Sequence, residues 1–183
     1  MKIFKEILSK NKEKYIQDLE DLIRLSKYST NSVQDYLSDK FTSLNCINDD
    51  FNYDPKSIDL VEEFANDFKQ GSSQERAIVA RHKGESDGKS LILFSHPDTE
   101  KYVHDDGWNH DPFEPKIINK KLHGWGIADD LAGVAMMYQC LDLIKKSGIR
   151  LKGDLILVSA PSKNHARGIA SVLYKGYTAE SAL

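Results

Sequence analysis

Between Ile3 and Leu25 the apolar residues Tyr15, Ile16, Leu19, Leu22 and Ile23 recur at three- and four-residue steps among lysines and acids. That spacing predicts an amphipathic helix with one face on a core. Ser29-Thr30-Asn31-Ser32 is a capping cluster, because short polar side chains accept hydrogen bonds from the free N–H groups of a first helical turn. It predicts a second helix running through Leu37 to Leu44. Asn45 to Lys56 is rich in Asn and Asp and reads as a loop or a ragged strand. Pro55 and Ser57 then open a third helix, in which Ile58, Val61, Phe64, Ala65 and Phe68 share a face until Gly71.

Beyond residue 75 the period changes. Leu91-Ile92-Leu93-Phe94, bounded by Gly88 and Pro97, is an unbroken apolar run, the pattern of a strand buried on both faces of a sheet. Arg76 to Arg81 is a second short strand, joined to it by the turn-like Gly84 to Gly88, and the two are expected to be neighbours. Lys101 to Pro115 reads as a long loop, either functional or a surface excursion. Lys116 to Leu122 can form a strand, Gly124-Trp125-Gly126 turns the chain, and Asp129-Asp130 begin a helix burying Val134, Met137, Leu141 and Ile144 until Gly148. Asp154 to Ser159 is a further apolar strand, Pro161 to Arg167 a loop, and Ala170 to Lys175 a short helix. This order predicts an α/β fold with a mixed, mostly parallel sheet flanked by helices. One unit over 1–183 is expected, helical to about residue 70 and sheet-forming from about residue 75.

Composition narrows the partners more than the fold. At 183 residues, 40% apolar and 29% charged, the chain can bury a real core. A formal net charge of -3 gives no electrostatic footprint for nucleic acid. No basic helix points to a membrane surface, and no long apolar stretch to a signal peptide or spanning helix. Cys46 and Cys140 stand far apart in no metal-binding spacing, which fits a cytoplasmic protein with free thiols.

Candidate chemistry gathers where the central strand must emerge. His96 and Asp98 follow it directly, and carboxyl ends of strands in open α/β sheets are where ligands collect. An imidazole and a carboxylate so spaced can act together, the His binding a metal through one ring nitrogen while the carboxylate holds the other. The alternative is a pair of ordinary polar loop residues. Asp129 sits where a Gly-rich turn meets a helix start. It is either a helix N-cap acid placed against the macrodipole, or a carboxylate bridging two metal ions that activate a water and polarise a carbonyl.

Taken in order, Ser95-His96-Pro97-Asp98-Thr99, Trp108, Asp111-Pro112-Phe113, Lys121-Leu122-His123-Gly124-Trp125-Gly126-Ile127-Ala128-Asp129-Asp130-Leu131-Ala132-Gly133 and Gly153-Asp154-Leu155-Ile156-Leu157 resemble a known family. The chain is similar to the co-catalytic zinc peptidases and deacylases that include acetylornithine deacetylase, succinyl-diaminopimelate desuccinylase and glutamate carboxypeptidase. The similarity covers nearly all of this chain and the front part of that family's catalytic domain, without its lid domain. The resemblance implies that His96 is a zinc ligand, that Asp98 orients it, and that Asp129 bridges two zinc ions.

It also marks a departure. Where the family carries a Glu-Glu pair, a general base followed by a metal ligand, this chain reads Ser162-Lys163-Asn164, so Lys163 stands at the base position and Asn164 at the ligand position. A charged lysine accepts no proton and opposes nearby cations, and asparagine is a neutral substitute for an anionic ligand. His165 is a possible substitute ligand; it is expected to be a surface residue, as are His104, His110 and His123. With two of five expected ligands, zinc should bind weakly, since zinc sites normally have at least three protein ligands.

The first expectation is therefore a truncated amidohydrolase relative, silent by itself, of a family acting on N-acyl amino acids or small peptides. The alternatives are an active hydrolase completed by a second chain or a further portion, and a non-catalytic binding or regulatory module. An uncovered sheet edge and apolar surface are expected to favour self-association or pairing with a full-length relative.

Overall fold

Four helices and seven strands form among the residues that the structure, a computed structural model, describes: 2–59, 74–103, 107–161 and 166–183. Helix α1 spans Lys2–Ser26 and α2 spans Thr30–Ser43. The Ser29 hydroxyl accepts from the Ser32 N–H at 3.0 Å, so the capping cluster starts α2 as its residues predict. The Asn- and Asp-rich stretch forms strand β1, Ile47–Tyr53, which pairs antiparallel along its length with β2, Glu75–His82. Between them the chain makes a 3-10 turn at Pro55–Ser57, and the predicted helix beyond it falls on 60–73, outside the described residues.

Strand β3 is Leu91–Ser95, the hairpin β4–β5 is Lys116–Ile118 with Lys121–His123, and α3 is Ala132–Lys146. They are followed by β6, Leu155–Ser159, then α4, Arg167–Tyr174, and a short β7, Ser181–Ala182. The main sheet runs β1-β2-β6-β3-β7. Its β6–β3 and β3–β7 pairs are parallel, while β1–β2 and β2–β6 are antiparallel. The expected adjacency of β2 and β3 is therefore corrected, because β6 lies between them. All five residues of β6 are buried, whereas β3 buries only Ile92 and Ser95, so β6 is the more central strand. An apolar run alone does not say which of two such strands takes the middle.

Alternation along the strands splits the core in two. Leu155 and Leu157 of β6, with Ile78 and Ala80 of β2, face Leu22, Ile23, Val33, Leu37, Phe41 and Leu141 from α1, α2 and α3. Ile156 and Val158, with Ala77, Val79 and Ile92, face Tyr53 and Val172 of α4 on the other side. Each large apolar side chain so buried contributes about 1.5–3 kcal/mol. Buried Gln34 ties α2 to the sheet, its Nε2 donating to the backbone oxygens of Arg76 and Ser159 at 2.9 and 3.1 Å. No described helix is long and apolar enough to cross a membrane.

Candidate metal centre

The parallel register pairs Ser95 with Ser159, so β3 and β6 end side by side and their following loops leave from one rim of the sheet. His96 is the first residue beyond that rim. Its side chain is 16% exposed and its two ring nitrogens face two different carboxylates. Nδ1 lies 3.3 Å from Asp98 Oδ1 and 3.0 Å from the Asp98 backbone oxygen, and Nε2 lies 3.1 Å from Asp129 Oδ1. Burial works against a charged imidazole here, but the hydrogen bonds and charge of Asp98, with a smaller contribution from Asp130, outweigh it and raise the His96 pKa above its ordinary value.

The three sequence candidates His96, Asp98 and Asp129 are thus brought together. Asp129 is not a helix cap. The chain passes through Gly126 at φ +70°, makes a wide π turn over Ile127–Leu131, and reaches regular helix only at Ala132. Asp129 and Asp130 have non-helical backbones inside that turn, and the peptide between them is cis. The turn is closed by Leu131 N–H donating to Gly126 O at 3.0 Å. It also rests on the His96 loop: a Cβ added at Gly126 would lie 2.3 Å from Thr99 Cγ2. Trp125 adds two ties, its Nε1 donating to Glu100 O and its backbone N–H to Pro112 O, both at 2.8 Å.

Two features of the rim are not legible in the motifs. The buried Ser95 hydroxyl makes a close hydrogen bond to Asp130 Oδ2, fastening the Asp129 turn to the end of β3. The only signal for it is a serine ahead of the histidine and a second acid behind Asp129. Across the sheet, buried Tyr53 places its hydroxyl 2.6 Å from Glu75 Oε2 and 2.9 Å from Pro161 O, linking the ends of β1, β2 and β6. Burial, then the charges of Glu75 and Asp98, raise the pKa of that phenol and keep it neutral.

Whether zinc suits these residues is a matter of donors and charge. His96 Nε2 and the Asp129 carboxylate converge, while Asp98 secures the far side of the ring, which is how a histidine ligand is normally oriented. A cation between Nε2 and Asp129 would be held by one imidazole nitrogen and one carboxylate oxygen. These two donors fit zinc. Among the described residues, however, no group of three or more His, Cys, Asp or Glu side chains could hold a metal ion, so the donors are an incomplete set. Lys163, Asn164, His165 and His104 lie outside the described residues. His123 stands on β5 and His110 meets Trp108 in the 107–115 loop; both are half-buried.

Residues 92–178 match peptidase family M20/M25/M40. Over that stretch the chain resembles the family. Among curated relatives, the N-formyl-4-amino-5-aminomethyl-2-methylpyrimidine deformylase of Bacillus subtilis is 35% identical over 109 residues, covering 58% of this chain and 26% of its own length. The protein of the same name from Halalkalibacterium halodurans is 26% identical across all of this chain and 41% of its own length. Among solved structures, the dipeptidase Dug1p of Saccharomyces cerevisiae superposes with a TM-score of 0.69 at 17% identity, over 87% of this chain and 34% of its own. The chain thus spans about a quarter to two-fifths of the relatives it matches, and it shares the α/β fold of the dipeptidase over the aligned part.

Proposed function

We propose that this chain carries the His-and-bridging-carboxylate half of a zinc-dependent amide hydrolase site, and that by itself it binds without turnover. The observation that carries this reading is the imidazole of His96 held between Asp98 and Asp129 at contacts of 3.3 and 3.1 Å. A divalent cation bound there supplies polarisation of a substrate carbonyl. The chain's own residues do the positioning. Asp98 fixes the ring of His96, Asp129 offers a carboxylate beside it, and Ser95 and Thr99 hold the turn that presents Asp129.

Silence follows from sequence. Lys163 and Asn164 stand where the resemblance places the general base and an acidic ligand, and neither supplies a negative charge. Turnover then requires acidic groups from outside this stretch, supplied by a second chain or by a further portion of polypeptide. The deformylase relatives favour an N-acyl amide as substrate class, with the amide nitrogen carried on an aminopyrimidine. The free thiols Cys46 and Cys140 fit a cytoplasmic setting.

The experiment is hydrolysis of an N-formyl aminopyrimidine amide by the isolated chain with zinc, against His96→Ala. No turnover is expected from either protein. Zinc-dependent turnover by the isolated chain, abolished in His96→Ala, would refute the silent reading and establish a self-sufficient hydrolase.

A further inference from the structure

Helix α1 is longer than the face that receives it. Its buried residues are Tyr15, Asp18, Leu22 and Ile23, and no residue from Lys2 to Lys14 is buried. A Cβ at Gly124 would lie 3.2 Å from the Ile23 side chain, Gln139 Nε2 donates to the Tyr15 backbone oxygen at 2.9 Å, and the Tyr15 hydroxyl donates to Asp142 Oδ2 at 2.7 Å. Helix α1 therefore runs antiparallel to α3, with Tyr15 beside the last turns of α3. Before Tyr15 the helix reaches back to Lys2, about 20 Å at 1.5 Å per residue, whereas α3 ends one turn beyond Asp142, at Lys146. The first turns of α1 thus project past the end of the domain remote from His96.

The projecting part carries an apolar stripe. Phe4, Leu8 and Asn11, at steps of four and three, continue the line of Tyr15, Asp18 and Leu22, and Ile3 and Ile7 lie beside them. Ile3 and Leu8 are 46 and 49% exposed, Phe4 and Ile7 are half-buried, and none of the four belongs to either core cluster. Among the described residues, no side chain from Lys2 to Glu13 bonds to another element; Asn11 Nδ2 donates to Ile7 O within the helix. Charge is sorted around the stripe. At about 3.6 residues per turn, Lys5 and Lys12 border it on one side and Lys10 and Lys14 on the other, while Glu6 and Glu13 fall on the back. Lys14 reaches back to Asp142 at 3.8 Å, and Lys5, Lys10 and Lys12 are exposed.

These borders select the occupant. Two copies paired through this stripe, parallel or antiparallel, would set lysine border against lysine border, and like charges at such flanking positions reject a partner. A flat membrane does not fit either, because the stripe faces the same side as Tyr15 and Leu22, so the domain would meet the bilayer before the stripe did. A narrow element with acidic borders fits both the charge and the space. We infer that the first three turns of α1 dock an amphipathic helix of another protein, its apolar face on Ile3, Phe4, Ile7 and Leu8 and its acidic borders facing Lys5, Lys10 and Lys12. The site lies at the far end of the fold from His96 and is independent of zinc and of turnover.

The probe is a fluorescein-labelled three-heptad peptide with leucine on one face and glutamate along both borders, compared by anisotropy with the same peptide carrying lysine borders. The glutamate peptide should bind the native chain saturably and weaken several-fold at high salt, and the lysine peptide should not bind. Phe4→Ser/Ile7→Ser should weaken binding more than tenfold, and Lys5→Glu/Lys12→Glu should shift the preference toward the lysine peptide. Neither variant touches a core cluster, so the unfolding midpoint should stay within about 2 °C of the native value. No saturable binding at millimolar protein, equal binding of both peptides, or unchanged affinity in both variants overturns the assignment. A loss of many degrees in the midpoint of Phe4→Ser/Ile7→Ser would overturn it by making the stripe part of the fold. A dimer in light scattering, or binding to phosphatidylserine vesicles, that this variant abolishes would overturn it in favour of a second copy or a membrane.

Discussion

Gly126→Ala separates two ways in which the turn ahead of Asp129 can be specified. Gly126 has φ +70°, a conformation that costs an L-residue about 1–2 kcal/mol. Its added Cβ would also lie 2.3 Å from Thr99 Cγ2, 3.1 Å from Thr99 Cβ and 3.3 Å from Leu131 Cδ1. Overpacking of that kind costs roughly 1–3 kcal/mol more. Gly148 provides the control, with φ +74° and open space within 4 Å of an added Cβ, so Gly148→Ala should show the backbone cost alone. Gly126→Ala is therefore expected to exceed Gly148→Ala by about 1–3 kcal/mol, or roughly 2–12 °C in Tm for a chain of this size. Urea and thermal unfolding measure both. Thr99→Ser removes Cγ2, and in the double variant Thr99→Ser/Gly126→Ala most of the excess should disappear. Equal losses at Gly126 and Gly148, or no recovery with Thr99→Ser, would refute the contact between the two loops.

Two further outcomes follow from the helical layer. Asp18 is 4% exposed and accepts from Lys40 Nζ at 2.7 Å and the Tyr36 hydroxyl at 3.0 Å. Lys40→Met should cost about 3 kcal/mol in urea unfolding by leaving a buried carboxylate without its cation, and Asp18→Asn/Lys40→Met should cost less. Burial pushes the Asp142 pKa up, but hydrogen bonds from Lys146 and Tyr15, with the charge of Lys14, outweigh it and hold the carboxyl below its usual range. Its contribution is present above the ordinary carboxylate pKa of roughly 4 and is lost as pH falls through the lower folded value. The stability gap between the native chain and Asp142→Asn should thus be widest above about pH 5 and close on acidification; a gap that widens in acid contradicts the assignment.

What the sequence reveals depends on how local the cause is. The period of apolar residues gives α1 and α2, and Ser29 marks the start of α2, because caps and helix faces are set by neighbours a turn apart. His96, Asp98 and Asp129 are legible as a set through the family resemblance, since each alone also reads as an ordinary loop or cap residue, and the structure brings the three together. Strand order is not local. The insertion of β6 between β2 and β3 depends on the parallel return of the chain through α3, which no apolar run records. Strand β1 is masked by its Asn and Asp residues, whose weak strand preference is overridden by seven paired positions along β2. The Ser95–Asp130 bond joins residues 35 apart, and Tyr53 to Glu75 and Pro161 joins three strands, so neither has a motif.

Zinc titration calorimetry at neutral pH, on the native chain and on His96→Ala, bears most directly on the site. The geometry predicts weak binding of no more than one equivalent, lost in His96→Ala and weakened about 10–100-fold in Asp98→Asn, with the folded circular dichroism spectrum retained in both. Tight uptake of two equivalents by the isolated chain, or binding indifferent to His96, would contradict it.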